Sequence, residues 1–425
     1  MLRSAHVLQL AVVALLAIGV LMVHSASLRV GTPPAPPATT ATTSAAATTP
    51  VDPPAVDTTM AGVPWPSLLA TRHAIYAALA VIVLLIASRL DLRQLFESRG
   101  VTNPVLLLLA AALGLVALTL IPGIGRVAGG ASRWLHLGPA SWGMSFQPSE
   151  VLKWVLILAL AWWCVRRRGV MHHFWHGLAP PLALLGLACG LVIVEDWGTA
   201  ALMAVIGVTL LFAAGARWWH LALMAPPAIA VAVVAILHSP YRLRRLTTFL
   251  DPWADPAGAG YHPIQSMLAI AQGGVAGRGL GNGIQKFGYL PEDTTDFIFA
   301  IVCEELGLAG AALVVGLYLT ILILGLVIIR DYRHPFGRLV GLGVLLTLGL
   351  QAVLNIAVVT VVVPTKGIAL PLVSAGGTGW VLTAFALGLI AALDNAGYEQ
   401  RAADVDDPGA VPVSDAPPLR LTGTG

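Results

Sequence analysis

Five acidic residues lie in a stretch of the chain that begins as a polar loop and becomes apolar after Asp296. Glu292, Asp293 and Asp296 lie at the end of the loop, and Glu304 and Glu305 lie inside the apolar run. Carboxylates are costly in hydrocarbon, so each buried acid needs a partner or a function. A carboxylate at such a boundary lies at the level of lipid headgroups, which predicts chemistry on a lipid-linked substrate.

The composition indicates a multi-pass membrane protein. Of the 425 residues, 57% are hydrophobic and 11% are charged, and long apolar runs recur from end to end. The net charge of +3 is too small to indicate a nucleic-acid partner. Cys164, Cys189 and Cys303 all lie in apolar runs, so we interpret them as packing residues and expect neither a disulfide framework nor a metal site.

Ten apolar runs predict an all-α integral membrane protein with about ten transmembrane helices. The runs lie at 7–23, 71–88, 104–121, 148–165, 177–195, 198–214, 217–237, 297–329, 338–363 and 374–394. The end of the first run, His24-Ser-Ala-Ser27, has the small residues of a signal-peptide cleavage site. The run is long for a signal peptide, so a retained helix is favoured. The run at 297–329 exceeds one bilayer thickness, which predicts that it tilts or projects.

The arginines of the short loops predict the orientation, because cytoplasmic loops are enriched in basic residues. With ten alternating spans, both termini are cytoplasmic and a large extracytoplasmic loop, 238–296, joins helices 7 and 8. The predicted units are a first transmembrane helix (1–28), a Pro/Ala/Thr-rich extracytoplasmic linker (29–67), a polytopic membrane domain (68–396) and a disordered cytoplasmic tail (397–425).

Basic and acidic residues then both lie on the predicted outer face. The basic residues suit the binding of a diphosphate headgroup, and the acidic residues suit a proton acceptor. The glycines of residues 273–283 resemble a loop that binds phosphate, but no strand precedes them, and a flexible hinge in the outer loop is favoured. Asp196 lies in the short break between two runs and is interpreted as the cap of the helix that follows, with a cavity-lining role as the alternative.

Seven segments in register resemble the SEDS family (shape, elongation, division and sporulation), the FtsW/RodA/SpoVE polymerases. They are Phe146-Gln-Pro-Ser-Glu-Val-Leu-Lys153, Tyr241-Arg-Leu-Arg-Arg-Leu-Thr-Thr-Phe-Leu-Asp-Pro252, Gly279-Leu-Gly-Asn-Gly-Ile-Gln-Lys286, Tyr289-Leu-Pro-Glu292, Thr295-Asp-Phe-Ile-Phe-Ala300, Glu304-Glu-Leu-Gly307 and Pro364-Thr-Lys-Gly367. The Gln285-Lys286 pair and Pro364-Thr-Lys-Gly367 are more similar to the division branch, FtsW, than to the elongation branch.

The chain departs from the family pattern at three positions. Thr294 stands where the family usually has His, Glu195 precedes Asp196 where the family has Pro-Asp, and Ala375 stands where the family has an aromatic residue. None of these departures removes Asp296, which matches the aspartate proposed as catalytic in the family.

The resemblance implies polymerisation of lipid II into glycan strands by an inverting glycosyltransferase. A sugar hydroxyl attacks an anomeric carbon, a carboxylate accepts its proton and polyprenyl diphosphate leaves. Asp296 is the candidate base; its alternative role is a helix N-cap. Glu292 is the second catalytic candidate, either raising the pKa of Asp296 or helping to hold a divalent ion on the diphosphate, Mg²⁺ or Mn²⁺. No cofactor is certain.

The candidates for binding the substrate are cations and polar residues of the outer face. They are Lys366, Arg245, Lys286, Gln285, Arg133, Lys153 and Ser374. Each cationic residue has a structural alternative to substrate binding, in which its side chain only extends from the membrane to the level of the lipid headgroups. Glu150 and Lys153 have an (i, i+3) spacing that would allow a purely structural pair, and at least one of Glu304 and Glu305 is interpreted as a buried structural partner.

The resemblance also implies a class B penicillin-binding protein as a transpeptidase partner, other division proteins, and a location at the septum in the bacterial cytoplasmic membrane. Two other functions stay open. A flippase would move lipid II outward, and a non-catalytic scaffold would organise division proteins. A flippase needs polar groups across both leaflets, whereas the acids here concentrate on one side, which favours the enzyme.

Overall fold

A computed structural model describes residues 3–27, 72–97, 103–121, 125–128, 131–136 and 145–406. The predicted linker at 29–67 and residues 407–425 lie outside these ranges. The chain forms a helical bundle whose helices are α1 (Ser4–Ser27), α2 (Arg72–Ala87), α3 (Leu92–Glu97), α4 (Pro104–Thr119), α5 (Pro148–Arg166), α6 (Ala179–Ile193), α7 (Trp197–Ala213), α8 (Trp218–Leu237), α9 (Pro240–Leu250), α10 (Tyr261–Gly273), α11 (Ile298–Asp331), α12 (Pro335–Val359) and α13 (Gly377–Asp406).

Each of the ten predicted spans coincides with a helix: α1, α2, α4 to α8 and α11 to α13. Six stretches in the described part of the chain are long and apolar enough to cross a membrane: α1, α5, residues 174–193 that include α6, α11, α12 and the first 22 residues of α13. Helices α2, α4 and α7 are shorter apolar helices. The all-α membrane fold predicted from hydropathy is therefore confirmed.

Local sequence sets the beginnings of several helices. Proline occupies the first turn of α4, α5 and α12, where its missing N–H is no loss. Asp196 caps α7, because its Oδ1 accepts hydrogen bonds from the N–H groups of Gly198 and Thr199 at 2.8 and 3.1 Å. The predicted capping role of Asp196 is confirmed.

Helix α1 is part of the bundle core. It packs against α11 and α13 and buries Leu8, Val12 and Leu15 completely. Gly19 allows a close approach, since a β carbon there would lie 2.6 Å from the carbonyl oxygen of Leu372. At the N-terminal end of α1 the N–H of Ala5 donates to Asp394 Oδ2 at 3.0 Å. Retention of this helix in the mature protein stays a prediction.

Several elements were not expected from the sequence. The loop between α4 and α5 contains a small antiparallel sheet in the order β1 (Arg126–Ala128), β2 (Ala131–His136) and β3 (Ser145–Phe146). The large outer loop contains α9 and α10. Helix α13 continues to Asp406, ten residues beyond the predicted boundary at 396.

Helix α11 spans 34 residues and is interrupted at Gly307; its predicted tilt or projection stays a prediction. Gly307 has φ 66° and ψ −162°, which no helical residue adopts. A β carbon on Gly307 would lie 2.3 Å from the backbone nitrogen of Gly277, so the outer loop passes directly against the break. Residues 298–306 therefore form a short helical segment of their own, with Asp296 just before its first turn.

Candidate functional site

Asp296 lies at the outer end of α11, half-buried between the large outer loop and the segment that follows α12. The residue that precedes the helix is Phe297, and no side chain makes a capping hydrogen bond at this end. Asp296 is thus not the side-chain N-cap of α11, and its carboxylate is not committed to the backbone there. This geometry excludes the helix N-cap, which was the structural alternative to the role of Asp296 as general base.

The surroundings of Asp296 raise the pKa of its carboxyl group from 3.8 to about 6. Burial is the largest cause, and the negative charge of Glu292 adds to it. Arg245 and Arg133 act in the opposite direction because they favour the charged form, and Asp196 raises the pKa slightly further. A pKa near 6 leaves the carboxylate ionised at neutral pH and more basic than an exposed aspartate.

Glu292 lies in the same turn as Asp296 and is exposed. Its backbone is in the left-handed region, with φ 57°, and its Oε2 accepts a hydrogen bond from Thr295 Oγ1 at 2.7 Å. The carbonyl oxygen of Glu292 accepts from the N–H groups of Thr295 and Phe297. The turn thus holds Glu292 close enough to act on Asp296 electrostatically.

The Pro364-Thr-Lys-Gly367 segment covers Asp296. A β carbon on Gly367 would be 2.9 Å from Asp296 Oδ2, so only glycine leaves the carboxylate unobstructed there. Arg245 of α9 joins the same segment, because its Nη1 donates to the carbonyl oxygen of Thr365 at 3.1 Å. The structure therefore brings together Asp296, Arg245 and the segment that carries Lys366.

Lys366 lies across the beginning of α7. A β carbon on Gly198 would be 2.7 Å from Lys366 Cε and 3.5 Å from its Nζ. Burial lowers the pKa of Lys366, and the negative charge of Asp196 counteracts this effect. A partly desolvated ammonium group gains from a negatively charged ligand, which suits a contact with diphosphate.

Arg133 of β2 reaches the same edge of the site. Its Nη1 lies 3.9 Å from Asp196 Oδ2, and about a third of its side chain, 34%, is exposed. Glu195, beside it, has its pKa raised mainly by burial and accepts a hydrogen bond from Thr119 Oγ1 at 3.2 Å. Arg133 thus contributes positive charge near Asp296.

Two side chains tie the turn that carries Asp296 to the segment that covers it. Asn355 of α12 donates through Nδ2 to the carbonyl oxygens of Asp296 and Ile368, at 2.8 and 2.7 Å. Ser374 donates to the carbonyl oxygen of Thr295 at 2.6 Å and accepts from the N–H of Leu370 at 2.7 Å. We call Asn355 and Ser374 the two-point clamp.

The two-point clamp gives Ser374 a structural role and adds Asn355 to the residues that build the site. Ser374 was predicted to bind the substrate, but it is buried, with 1% of its surface exposed, and its hydroxyl is used within the protein. Sequence reasoning missed Asn355. The signal was present, because an amide deep in an apolar helix needs partners, yet its partners lie far away in the sequence.

Lys153 is buried and paired, as its structural alternative proposed. Its Nζ lies 2.8 Å from Glu150 Oε2 and 3.4 Å from Gln351 Oε1, with 1% of the side chain exposed. Its stem borders a groove between α5 and α7 whose other lining residues are apolar. The geometry places Lys153 inside the bundle and not in front of Asp296.

The pair Gln285-Lys286 also lies inside the protein. Lys286 and Gln285 are 1% and 4% exposed, and Lys286 Nζ forms a 2.8 Å ion pair with Glu305 Oε1. The expectation that these two residues contact the substrate is therefore corrected. Glu305 is the buried structural partner that the sequence predicted for an acid in the apolar run.

The glycine-rich loop binds two negatively charged groups, and both are carboxylates of the protein itself. The N–H of Gly281 donates to Glu305 Oε2 at 3.0 Å, and the N–H of Ile284 donates to Glu304 Oε1 at 2.6 Å. Gly277, Gly279 and Gly281 all have positive φ. The loop thus satisfies two buried carboxylates of the protein, and its role as a flexible hinge stays a prediction.

In the part of the chain that the structure describes, no three His, Cys, Asp or Glu side chains are close enough together to hold a metal ion. A divalent ion near Glu292 and Asp296 would need oxygen ligands from elsewhere. The diphosphate of a substrate has such oxygens, since Mg²⁺ commonly binds through one or two carboxylates together with substrate phosphates.

Comparison with known proteins places the chain among cell-cycle membrane proteins. Residues 56–399 match the FTSW_RODA_SPOVE family, described as "Cell cycle protein". A protein of Alkalilimnicola ehrlichii is 41% identical over 337 residues, 78% of this chain and 80% of that protein. A protein of Geobacter sulfurreducens is 38% identical over 320 residues, 75% and 83% of the two chains. Both are named "Probable peptidoglycan glycosyltransferase FtsW".

Solved structures have the same fold. One comes from work on the "structural coordination of polymerization and crosslinking by a peptidoglycan synthase complex"; it is 28% identical, has a TM-score of 0.61 and covers 77% of this chain and 89% of its own. The rod shape determining protein RodA of Thermus thermophilus is similar with a TM-score of 0.58 over 92% of this chain and 96% of its own. At 23% identity it supports the fold alone.

Proposed function

Since the chain belongs to the FtsW/RodA/SpoVE family, we propose that it polymerises lipid II into glycan strands, with Asp296 as the general base. It is a multi-pass membrane protein and a peptidoglycan glycosyltransferase. The observation that carries the role of Asp296 is its environment: a half-buried carboxylate with a pKa of about 6, free of capping bonds and covered by a segment that contains a lysine.

Asp296 accepts one proton in this reaction. The hydroxyl of the acceptor sugar attacks the anomeric carbon of the donor, the new C–O bond forms as the bond to the diphosphate breaks, and the hydroxyl proton moves to Asp296. One displacement inverts the anomeric centre. A carboxyl group with a pKa of about 6 is ionised at neutral pH and is a stronger proton acceptor than an aspartate at 3.8.

The leaving polyprenyl diphosphate needs positive charge where its own negative charge grows. Lys366, Arg245 and Arg133 supply this charge from three different elements around Asp296. Lys366 and Arg245 are the primary contacts, since the segment that holds Lys366 also packs on Asp296 and Arg245 binds its backbone. The lipid tail then extends between helices into the bilayer.

A class B penicillin-binding protein is the proposed partner, which crosslinks the strands that this chain makes. The similar synthase complex, which couples polymerisation to crosslinking, supports this pairing. The relatives named FtsW favour a role in division. A position at the septum of the cytoplasmic membrane and contacts with other division proteins are part of the same proposal, as is Mg²⁺ or Mn²⁺ on the diphosphate.

The test measures glycan strands made by the purified full-length protein from purified lipid II in detergent. It is run with and without a cognate transpeptidase and with divalent ions, beside Asp296→Asn and the control Asp293→Asn. We expect strands from the wild type and from Asp293→Asn, and none from a folded Asp296→Asn variant. Equal strand formation by Asp296→Asn would exclude Asp296 as the base.

The same experiment separates the alternative functions. If no condition gives strands, lipid II flipping in proteoliposomes is measured next, and flipping would replace the polymerase proposal with a flippase. If neither strand formation nor flipping is detected, and Asp296→Asn still supports division in cells, a non-catalytic scaffold is favoured instead.

A further inference from the structure

A buried network lies below the site, at the break in α11. The ion pair of Lys286 and Glu305 is fully buried, with 0% of either side chain exposed. Ser25, near the outer end of α1, donates to the carboxylate of Glu305 at 2.7–2.8 Å and accepts from Lys286 Nζ at 3.1 Å. Lys286 also donates to the carbonyl oxygen of Gly281 at 2.7 Å. We call Ser25, Lys286 and Glu305 the lock.

The lock is complete in its hydrogen bonds. Lys286 has three donors and uses them on Ser25, Gly281 and Glu305. Glu305 accepts from Lys286 and Ser25, and from the N–H of Gly281 at 3.0 Å. A buried ion pair is tolerable only when its remaining donors and acceptors are satisfied, and loss of one member leaves an uncompensated charge.

The lock joins three segments: the end of α1, the loop at 281–286 and α11. The loop and α11 are joined in addition by the carboxylate of Glu304, which accepts from the N–H groups of Ile284 and Gln285. The carbonyl oxygens of Glu304 and Glu305, at the end of the short segment 298–306, accept from the N–H groups of Arg278 and Gly279 instead of from their own helix. The direction of this short segment is therefore set by the loop, and the loop is fixed through Lys286.

We propose that Ser25, Lys286 and Glu305 are positioning residues for Asp296, and that α1 is a required part of the active protein. This proposal rests on the proposed function for its kinetic consequence. Asp296 precedes the short segment whose far end the lock fixes, so a small rotation at Gly307 moves the carboxylate relative to Lys366 and the substrate. A displacement of about 1 Å costs up to 100-fold in rate.

The experiment compares Ser25→Ala with Ser25→Thr, which keeps the hydroxyl, and with Ser27→Ala. Ser27 is the matched control, because it is exposed and its hydroxyl donates locally to the carbonyl oxygen of His24. The full-length proteins are assayed with lipid II for kcat per folded molecule, KM and the pH dependence of kcat/KM. Hydrogen exchange of residues 291–300 is measured on the same samples.

We expect Ser25→Ala to lower kcat about tenfold with KM within about twofold of the wild type. The acidic limb of its pH profile shifts, since Asp296 moves relative to Glu292 and Arg245, and exchange at 291–300 accelerates. Ser25→Thr restores most of the activity, and Ser27→Ala matches the wild type. Unchanged kcat per folded molecule and unchanged exchange in Ser25→Ala would overturn the proposal.

A second pair of variants separates position from folding. Lys286→Met leaves Glu305 unpaired in the core, whereas Lys286→Met with Glu305→Gln removes both charges, so the double variant should be the more stable one. We expect both to have low kcat per folded molecule and fast exchange at 291–300. If the wild type makes no strands at all, the polymerase proposal fails, and the exchange data alone decide whether the lock positions the segment.

Discussion

At the scale of single residues, the charge balance around Asp296 determines how the protein responds to pH. Burial and Glu292 raise the pKa of Asp296 to about 6, and Arg245 lowers it. Because a base must be unprotonated, kcat/KM should rise about tenfold per pH unit below pH 6 and level off above it.

Below pH 6 the rise of kcat/KM forms the acidic limb of the pH profile. Substitution of the two charged neighbours of Asp296, Glu292 and Arg245, should move this limb in opposite directions. Glu292→Gln removes a negative charge and shifts the limb to lower pH, and Arg245→Gln removes a positive charge and shifts it to higher pH. Arg244→Gln is the control, because Arg244 is exposed and paired with Asp255. The measurement is kcat/KM between about pH 5 and 8, from one unit below to two units above the pKa of Asp296. Abolished activity in Glu292→Gln would instead give Glu292 a direct catalytic role.

Asp296 should also reduce the stability of the fold. Its pKa is about 6 when folded against an ordinary 3.8, so the folded state binds the proton more tightly and loses stability as the pH rises between these values. Above pH 6 the cost is constant, about 1–3 kcal/mol. Asp296→Asn should therefore raise the thermal midpoint at pH 7.5 by a few degrees while activity is lost.

The difference in midpoint should largely vanish at about pH 3, below the ordinary pKa of 3.8, where Asp296 is mostly protonated in both states. Thermal unfolding in detergent at the two pH values checks this. If Asp296→Asn is no more stable than the wild type at pH 7.5, burial of the ionised Asp296 carboxylate does not lower the free energy of unfolding.

At the scale of elements, the two-point clamp holds the covering segment in register with the base. Asn355→Leu leaves the carbonyl oxygens of Asp296 and Ile368 without their donor. This should cost about 1–3 kcal/mol and lower kcat at least tenfold. Thr347→Val is the matched control: Thr347 is equally buried in α12, but its hydroxyl donates only within the helix, to Gly343. Equal kinetics in the two variants would contradict the clamp.

The covering segment should also be sensitive to a single methyl group. Gly367→Ala places a carbon 2.9 Å from Asp296 Oδ2, so either the carboxylate or the segment must move, and strand formation should fall at least tenfold. Gly376→Ala is the control, because its nearest neighbour would be Ser374 O at an ordinary 3.7 Å. Polymerisation rates of the two variants test this directly, and a fully active Gly367→Ala would mean that the segment lies farther from Asp296.

At the scale of the whole molecule, α1 is held at both ends. The carboxylate of Asp394 in α13 accepts from the N–H of Ala5 at the N-terminal end of α1, and the lock holds Ser25 near its C-terminal end. The mature protein should therefore keep its first helix. Intact mass spectrometry of protein purified from membranes, with a C-terminal tag, should give the mass of the full chain. Cleavage after residue 26 or 27 would contradict this prediction.

The sequence by itself determined the class of the molecule. Ten apolar runs predict the ten helices because hydropathy is a local property of about twenty residues, and the short motifs identify Asp296 and the Lys366 segment because they are contiguous. The capping role of Asp196 was equally local, since its partners are the next residues of the chain.

The tertiary structure decided which polar groups meet. Asn355 and Asp296 are 59 residues apart, and Ser25 and Glu305 are 280 apart. No periodicity or spacing in the sequence encodes such distant pairs. The sequence therefore predicted contacts with the lipid-linked substrate for three residues that have partners inside the protein: Lys286, Lys153 and Ser374. The same holds for the glycines of residues 273–283: the loop binds the protein's own carboxylates, because folding brings it against the break at Gly307.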